Sequence, residues 1–411
     1  MRKDKNKRWV RQGEALKSDG RARWTGSLIT LAALGTFAGV ASAQSSVTLY
    51  GVADMAIEYV NHVGVVPTAA NGFNPGPGNR VYRMDSGGLA GSRWGLRGVE
   101  DLGSGTKAIF VLESGFNLDT GTLQQGGRIF GRNAYVGLQS DRYGQITFGR
   151  QYTSLFDVMA NFVPAAYGTL YEPSAVLLGP NFREDNTAKY KGVFGPLSAS
   201  AHWSFGTGLA LPQTTPGGVA LGGSGEVPGQ FRRDSAYGAG LSYNGGAFGV
   251  AAGYDQLNPT IGTGTGTFKS AAVAASYTFG TTAKIMAGYR WNMNKDQRDV
   301  LIKRDDFYWI GASYKVIPAL ELTVEYNYDN VRNLFGSTSV ANPWQVAFIA
   351  TYGFSKRTDV YLTTAFSKNA GLTLDSAANG YASSLALGNS YSLGRGESTM
   401  LGAAIGVRHK F

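Results

Sequence analysis

Apolar and polar residues alternate with a period of two from Val47 to the last residue, and helical periodicity is nearly absent. Successive side chains of a strand point to opposite faces, so this pattern predicts strands with one apolar and one polar face. In 320–329, Leu320, Leu322, Val324, Tyr326 and Tyr328 oppose Glu321, Thr323, Glu325, Asn327 and Asp329. In 344–354, Trp344, Val346, Phe348, Ala350, Tyr352 and Phe354 oppose Gln345, Thr351 and Gly353; in 283–292, Ile285, Ala287, Tyr289 and Trp291 oppose Lys284, Gly288 and Arg290. About sixteen segments read as strands: 47–60, 92–100, 107–117, 131–139, 144–150, 186–193, 197–204, 235–243, 248–255, 268–279, 283–292, 306–314, 320–329, 344–354, 358–367 and 401–411. Most approach the ~9–11 residues that a tilted membrane-crossing strand needs.

The connections alternate in length. Short turns fall at 101–106, 140–143, 194–196, 244–247, 280–282, 315–319 and 355–357. Long loops fall at 61–91, 118–130, 151–185, 205–234, 256–267, 293–305, 330–343 and 368–400. A transmembrane antiparallel β-barrel with both termini in the periplasm produces short periplasmic turns and long external loops. Proline cannot donate to a strand ladder, and all 13 prolines lie in the connections. A soluble β-sandwich also alternates, but it needs neither the regular loop lengths nor aromatics near strand ends, as at Tyr277/Phe279, Tyr326/Tyr328 and Tyr352/Phe354. Such aromatics fit the interfacial girdles of a barrel.

Composition sharpens this picture. Cysteine is absent, which excludes disulfides and thiolate metal sites, and the 58 glycines are about twice the usual share of roughly 7%. The formal charge of +10 raises the question of nucleic acid, but its location answers it. Residues 1–43 hold nine Lys/Arg against Asp4, Glu14 and Asp19, so +6 of the +10 sits there and +4 remains for 44–411. The basic stretch precedes an apolar run, SLITLAALGTFAGVA (27–41), which ends at the small residues Ala41 and Ala43. That is the pattern of a signal peptide, expected to be cleaved after Ala43. No nucleic-acid partner is expected, because the basic excess belongs to the leader.

The last strand places Leu401, Ala403, Ile405, Val407 and His409 on one face with the terminal Phe411. An aromatic carboxy-terminal residue on such a strand resembles the signal read by outer-membrane barrel-insertion machinery. The chain as a whole resembles the Gram-negative general porins, the proteobacterial type that opens SVTLYGVAD and ends GVRHKF, here Ser46–Asp54 and Gly406–Phe411. Further matches are SRWGLRGVEDLGSGTKAIFVLESGF (92–116), FGRNAYVGL (130–138), YGQITFGRQ (143–151), DNTAKY (185–190) and SKRTDVYL (355–362). The resemblance implies a sixteen-stranded homotrimer among outer-membrane lipids and lipopolysaccharide, with the third external loop folded into each barrel as a constriction. The implied activity is passive diffusion of ions and small hydrophilic solutes, with no cofactor. Loops 205–234 and 368–400 carry no matching motif.

Selectivity in such a pore comes from charged side chains at its narrowest section. Alternation turns Trp94 and Leu96 outward and so points Arg93 and Arg97 to the lumen; Asp54, Glu58 and Glu113 share the inward parity. The resemblance puts Arg93 and Arg132 in a basic wall, with Arg150 closing the strand before the third loop. Asp157 and Glu172 are the expected acidic members of that loop, and Arg183, Glu184 and Asp185, just after it, are expected either to anchor it or to line the pore. The family often has a basic residue after LYG, where this chain has Val52. With +4 outside the leader, a weak anion preference is expected.

Two alternatives remain. A substrate-selective channel would show an aromatic track for sugars or a dense Lys/Arg ladder for phosphate, and neither is evident along the strands; an organic acid is the third cargo of this kind. A barrel enzyme would need a nucleophile and base, yet His62, His202 and His409 sit in no recognisable triad, metal-ligand spacing is absent, and the 262–268 run GTGTGTF lacks the GK[ST] ending of a phosphate loop.

Overall fold

A strand with one apolar and one polar face must hide the first from water and wet the second. A ring of such strands in a bilayer does both and leaves no edge unpaired. The computed structural model describes residues 45–210, 220–376 and 391–411. The leader 1–43, Pro212 and Pro216 therefore lie outside the described residues. The strands are β1 (Ser46–Val63), β2 (Asn79–Ser86), β3 (Arg93–Gly103), β4 (Thr106–Gly115), β5 (Asn133–Ser140), β6 (Gly144–Tyr152), β7 (Arg183–Phe194), β8 (Leu197–Ser204), β9 (Ala236–Gly245) and β10 (Phe248–Leu257). They continue with β11 (Thr260–Ile261), β12 (Gly264–Thr265), β13 (Thr267–Phe279), β14 (Ala283–Lys295), β15 (Leu301–Ile317), β16 (Leu320–Leu334), β17 (Trp344–Gly353), β18 (Thr358–Lys368) and β19 (Thr399–Lys410). The short β11 and β12 pair only with each other, within the glycine–threonine run of an external loop. Because β2 and β3 both pair with β1, they act as one interrupted stave, and the whole is a closed antiparallel barrel of 16 strands. The ring closes between β1 and β19, from Val52 opposite Lys410 to Val60 opposite Gly402. Among the described residues no helix is long and apolar enough to cross a membrane; the strands make the crossing.

Strand β2 falls inside what the sequence presents as a long loop. Its alternation lasts only a few residues, with Tyr82 and Met84 outward, before the glycine-rich interruption at 87–92. Asp54 supports that interruption: its carboxylate accepts the N–H groups of Gly88 (3.0 Å), Leu89 (3.0 Å) and Ala90 (2.8 Å) and the Tyr361 hydroxyl (2.6 Å). Several strands also run further outward than the hydrophobic pattern shows, because their outer ends leave the apolar belt; β15 begins at Leu301 and β16 reaches Leu334.

The outer face is apolar. Val47, Leu49, Ile57, Val136, Val324 and Ile405 are exposed there, and Tyr143, Phe194, Phe248, Phe279, Tyr314 and Phe354 form a belt beside the short turns. Phe411 closes the ring, exchanging backbone hydrogen bonds with Gly51 (3.0 and 3.1 Å).

The third external loop, 153–182, folds into the lumen. Its helix α1 (Ser154–Met159) starts where the Thr153 side chain accepts the Phe156 N–H, and α2 (Ser174–Leu178) follows. Leu155, Met159, Phe162 and Leu177 are buried against the inner wall. The wall admits them because it lacks side chains there: a Cβ on Gly240 would stand 2.7 Å from Val158, one on Gly253 2.8 Å from Leu155, and one on Gly311 2.6 Å from Pro164. Polar ties then pin the loop across the barrel. Lys284 Nζ donates to the Asn161 carbonyl (2.6 Å), Trp309 Nε1 to that of Phe162 (2.8 Å), and Ala165 N–H to Glu325 (3.0 Å), while Gln345 donates to the Tyr171 carbonyl. The last external loop also turns inward, burying Leu372 and Tyr391 beside Tyr171 and Leu374 in the cluster of the third-loop helices.

Candidate pore constriction

Beside the third loop lies a cavity of about 320 Å³ lined by Arg93, Arg132, Arg183, Glu113, Tyr152 and the loop residues Phe156 and Tyr167. Strand pairing supplies the wall. Arg93 lies opposite Gly115 and Gly95 opposite Glu113, so Arg93 and Glu113 share the inner face. Arg132, just before β5, donates through Nε to Glu113 Oε1 (2.7 Å) and through Nη2 to the Tyr152 hydroxyl (3.0 Å). Arg93 Nε stands 3.7 Å from Glu113 Oε2, which also accepts the Tyr50 hydroxyl at 3.0 Å. Arg183 opens β7 and donates to the same Tyr152 hydroxyl (3.0 Å), with its guanidinium 4.6 Å from the Tyr152 ring. Arg93 and Arg132 thus share one lining carboxylate, and Arg183 adds a third guanidinium to the cavity wall. Excess positive charge at a narrow place between low-dielectric walls focuses an attractive field for anions.

The other expected site residues fall elsewhere. Arg97 faces inward on the turn side of the cavity, 5.8 Å from the Tyr50 ring. Arg150 faces outward: it pairs with Ala134 on the face that carries exposed Val136 and Phe148. Its guanidinium donates to the Gly131 carbonyl (2.7 Å) and to Asp185 (2.7 Å), which Arg128 also grips at 2.6 Å. Asp54 has the expected parity but is 0% exposed, consumed by the backbone it supports. Glu58 is likewise held by Arg83 (2.6 Å) and Tyr391 (2.9 Å). Asp157 pairs with Lys189 (2.5 Å), away from the arginine wall. Glu172 is buried in the loop, where desolvation and then the nearby Glu325 raise its carboxyl well above the ordinary glutamate range. The negative counterpart of the wall is therefore Glu113 of the wall itself, not the loop acids. Val52 is buried and adds no charge.

Two features escaped the sequence. His202 is not isolated: its Nδ1 lies 2.9 Å from Ser154 Oγ and its Nε2 3.1 Å from Glu184 Oε2. All three are buried, Ser154 completely, and they fasten the start of α1 to the wall. His62 and His409 meet the Thr399 carbonyl (2.8 Å) and the Thr358 hydroxyl (2.9 Å). An aromatic stack is also present, with Tyr152–Phe156 centroids 3.9 Å apart at 12° and Phe156–Tyr167 4.6 Å apart at 20°. It joins a strand end to a loop, so no strand pattern announces it.

A family model described as Gram-negative porin matches residues 30–372. The chain belongs to the Gram-negative porin family. An outer membrane porin protein of Bordetella pertussis is 31% identical over 414 residues, covering 94% of this chain and 99% of that protein. Outer membrane porin protein 32 of Delftia acidovorans is 28% identical over 407 residues, with the same coverage, 94% and 99%. Among solved structures, the anion-selective porin from Comamonas acidovorans matches with a TM-score of 0.68 at 23% identity, covering 90% of this chain and 100% of that one. The trimer form of OmpT from Vibrio cholerae matches with a TM-score of 0.60 at 16% identity, covering 89% and 99%. The porin is thus an outer-membrane channel.

Proposed function

We propose that this porin conducts small hydrophilic solutes passively with a weak preference for anions, and that Arg93, Arg132 and Arg183 set that preference. The observation that carries the reading is the imbalance at the constriction, three guanidiniums around the single carboxylate of Glu113. Arg97 adds positive charge on the turn side. The similarity to an anion-selective porin of the same fold supports the sign. A homotrimer is the assembly this reading adopts, supported by the trimeric form of a structural relative. Residues 1–43 act as an export signal removed after Ala43, Phe411 is presented to the insertion machinery, and the apolar belt meets lipid and lipopolysaccharide. The reading also holds that the chain does no catalysis; what supports this is the sealing of Ser154, His202 and Glu184 beneath the third loop.

The test is the zero-current potential of the purified protein in a planar bilayer under a potassium chloride gradient. Its sign should report chloride as the more permeant ion. Clear potassium preference would overturn the proposal.

A further inference from the structure

The aromatic stack at the constriction has no role in passive conduction of simple ions, and it borders the most cationic part of the lumen. Tyr152, Phe156, Tyr167 and Phe182 all line the 320 Å³ cavity. Three of the rings are nearly parallel: Tyr152 and Phe182 lie at 4°, and Phe156 and Phe182 at 11°. Arg183 completes the arrangement, its guanidinium 4.6 Å from the Tyr152 ring and 4.8 Å from the Phe182 ring. Its guanidinium donates to the Tyr152 hydroxyl, and its buried Nε has no partner among the described residues. No carboxylate lies within ion-pair distance of Arg183 among the described residues. A guanidinium held beside two aromatic rings, with donors left over, is arranged to receive a planar anion. Arg132 donates to the same Tyr152 hydroxyl, so two guanidiniums converge on one point (3.0 Å each).

We propose that this cavity is a binding site for a small aromatic carboxylate, whose ring extends the stack and whose carboxylate meets Arg183 and Arg132. The proposal rests on the anion-channel reading above and names the substrate class of the same constriction. The cavity is at the small end of ordinary ligand pockets of roughly 300–1,000 Å³, which suits a single ring and not an oligosaccharide. Parallel rings reward a flat partner over a puckered one of equal charge and similar size. The site is a waypoint, since a channel needs binding weak enough to release what it binds.

The experiment measures block of chloride current through the purified full-length protein in planar bilayers by benzoate, cyclohexanecarboxylate and acetate. All three carry one carboxylate, and only benzoate is flat and aromatic. Half-block by benzoate is expected at a concentration at least tenfold below that for cyclohexanecarboxylate, with acetate weaker still. Phe156→Leu should bring benzoate and cyclohexanecarboxylate within twofold. Arg183→Gln should raise the half-blocking benzoate concentration at least tenfold. Equal block by benzoate and cyclohexanecarboxylate in a protein that still prefers chloride would overturn this proposal and leave the anion-channel reading standing. Potassium preference would overturn that reading first, and this one with it. The comparison on the unaltered protein decides the matter even where a variant fails to assemble.

Discussion

On the β3–β7 side of the barrel, Arg93 and Arg132 share the one carboxylate of Glu113 at an open cavity that Arg183 also lines. On the β14–β16 side, Arg290 and Lys303 meet two carboxylates, Asp305 and Asp329, in a patch that is almost wholly buried. Arg93 and Arg290 reach the inner face by the same strand parity, while Arg132 and Arg183 stand at strand ends. Only the β3–β7 wall leaves charge unmatched where water and solute can reach it. A buried, balanced cluster costs desolvation and makes register specific, while an unbalanced cluster at a narrow opening selects ions. Inward arginines therefore carry no selectivity by themselves; the carboxylates beside them decide.

Removing a cation from the balanced wall should give the largest stability effect. Arg290→Gln removes one of the two cations that balance Asp305 and Asp329 and is expected to cost about 3–5 kcal/mol, as for one partner of a buried pair, read by guanidinium unfolding in detergent. Its anion-to-cation permeability ratio should stay within twofold of the unaltered protein; a larger shift would erase the contrast between the walls. Trp309→Phe takes the donor from the Phe162 carbonyl. It should cost about 1–3 kcal/mol, the range for a buried group left unpaired, and increase open-channel current noise as the loop loosens.

Glu172 provides a pH test of the same loop. Burial first, and then Glu325, raise its carboxyl in the folded protein. A carboxyl raised on folding contributes stability that is complete below its unfolded pKa and is lost as pH rises through its folded value. Channel noise should thus be low at acid pH and grow toward alkaline pH, and Glu172→Gln should flatten that dependence. A dependence of opposite sign would contradict the burial. The smallest effect belongs to Arg97→Gln. Arg97 stacks beside Tyr50 outside the cavity, and the permeability ratio should change less than twofold.

The barrel was legible in the sequence because a strand reports its two faces residue by residue. Val324 and Tyr326 are 47% and 41% exposed on the outside, while Glu325 and Asn327 between and beside them are 2% and 1% exposed. The constriction was legible only in part. Arg93, Arg132 and Glu113 come from strand parity and resemblance, whereas Arg183 acquires its place by stacking on rings from β6 and the third loop. Arg150 was expected at the constriction, yet its regular pairing with Ala134 keeps it on the outer face, and only the ladder to β7 shifts register after Gly149, at φ +127°. The acids Asp157 and Glu172 were named correctly as loop residues. Their partners Lys189 and Glu325 are contributed by strands distant in sequence, and no local pattern encodes such pairings. The same holds for Ser154 and His202, 48 residues apart.

The most direct measurement is the zero-current potential of the protein with Arg93, Arg132 and Arg183 all replaced by Gln, set beside that of Arg290→Gln, under one potassium chloride gradient. The triple replacement leaves Glu113 as the charge at the cavity, so its potential should reverse sign to potassium preference while Arg290→Gln keeps the chloride sign. An unchanged chloride preference in the triple variant would contradict the assignment of selectivity to this wall.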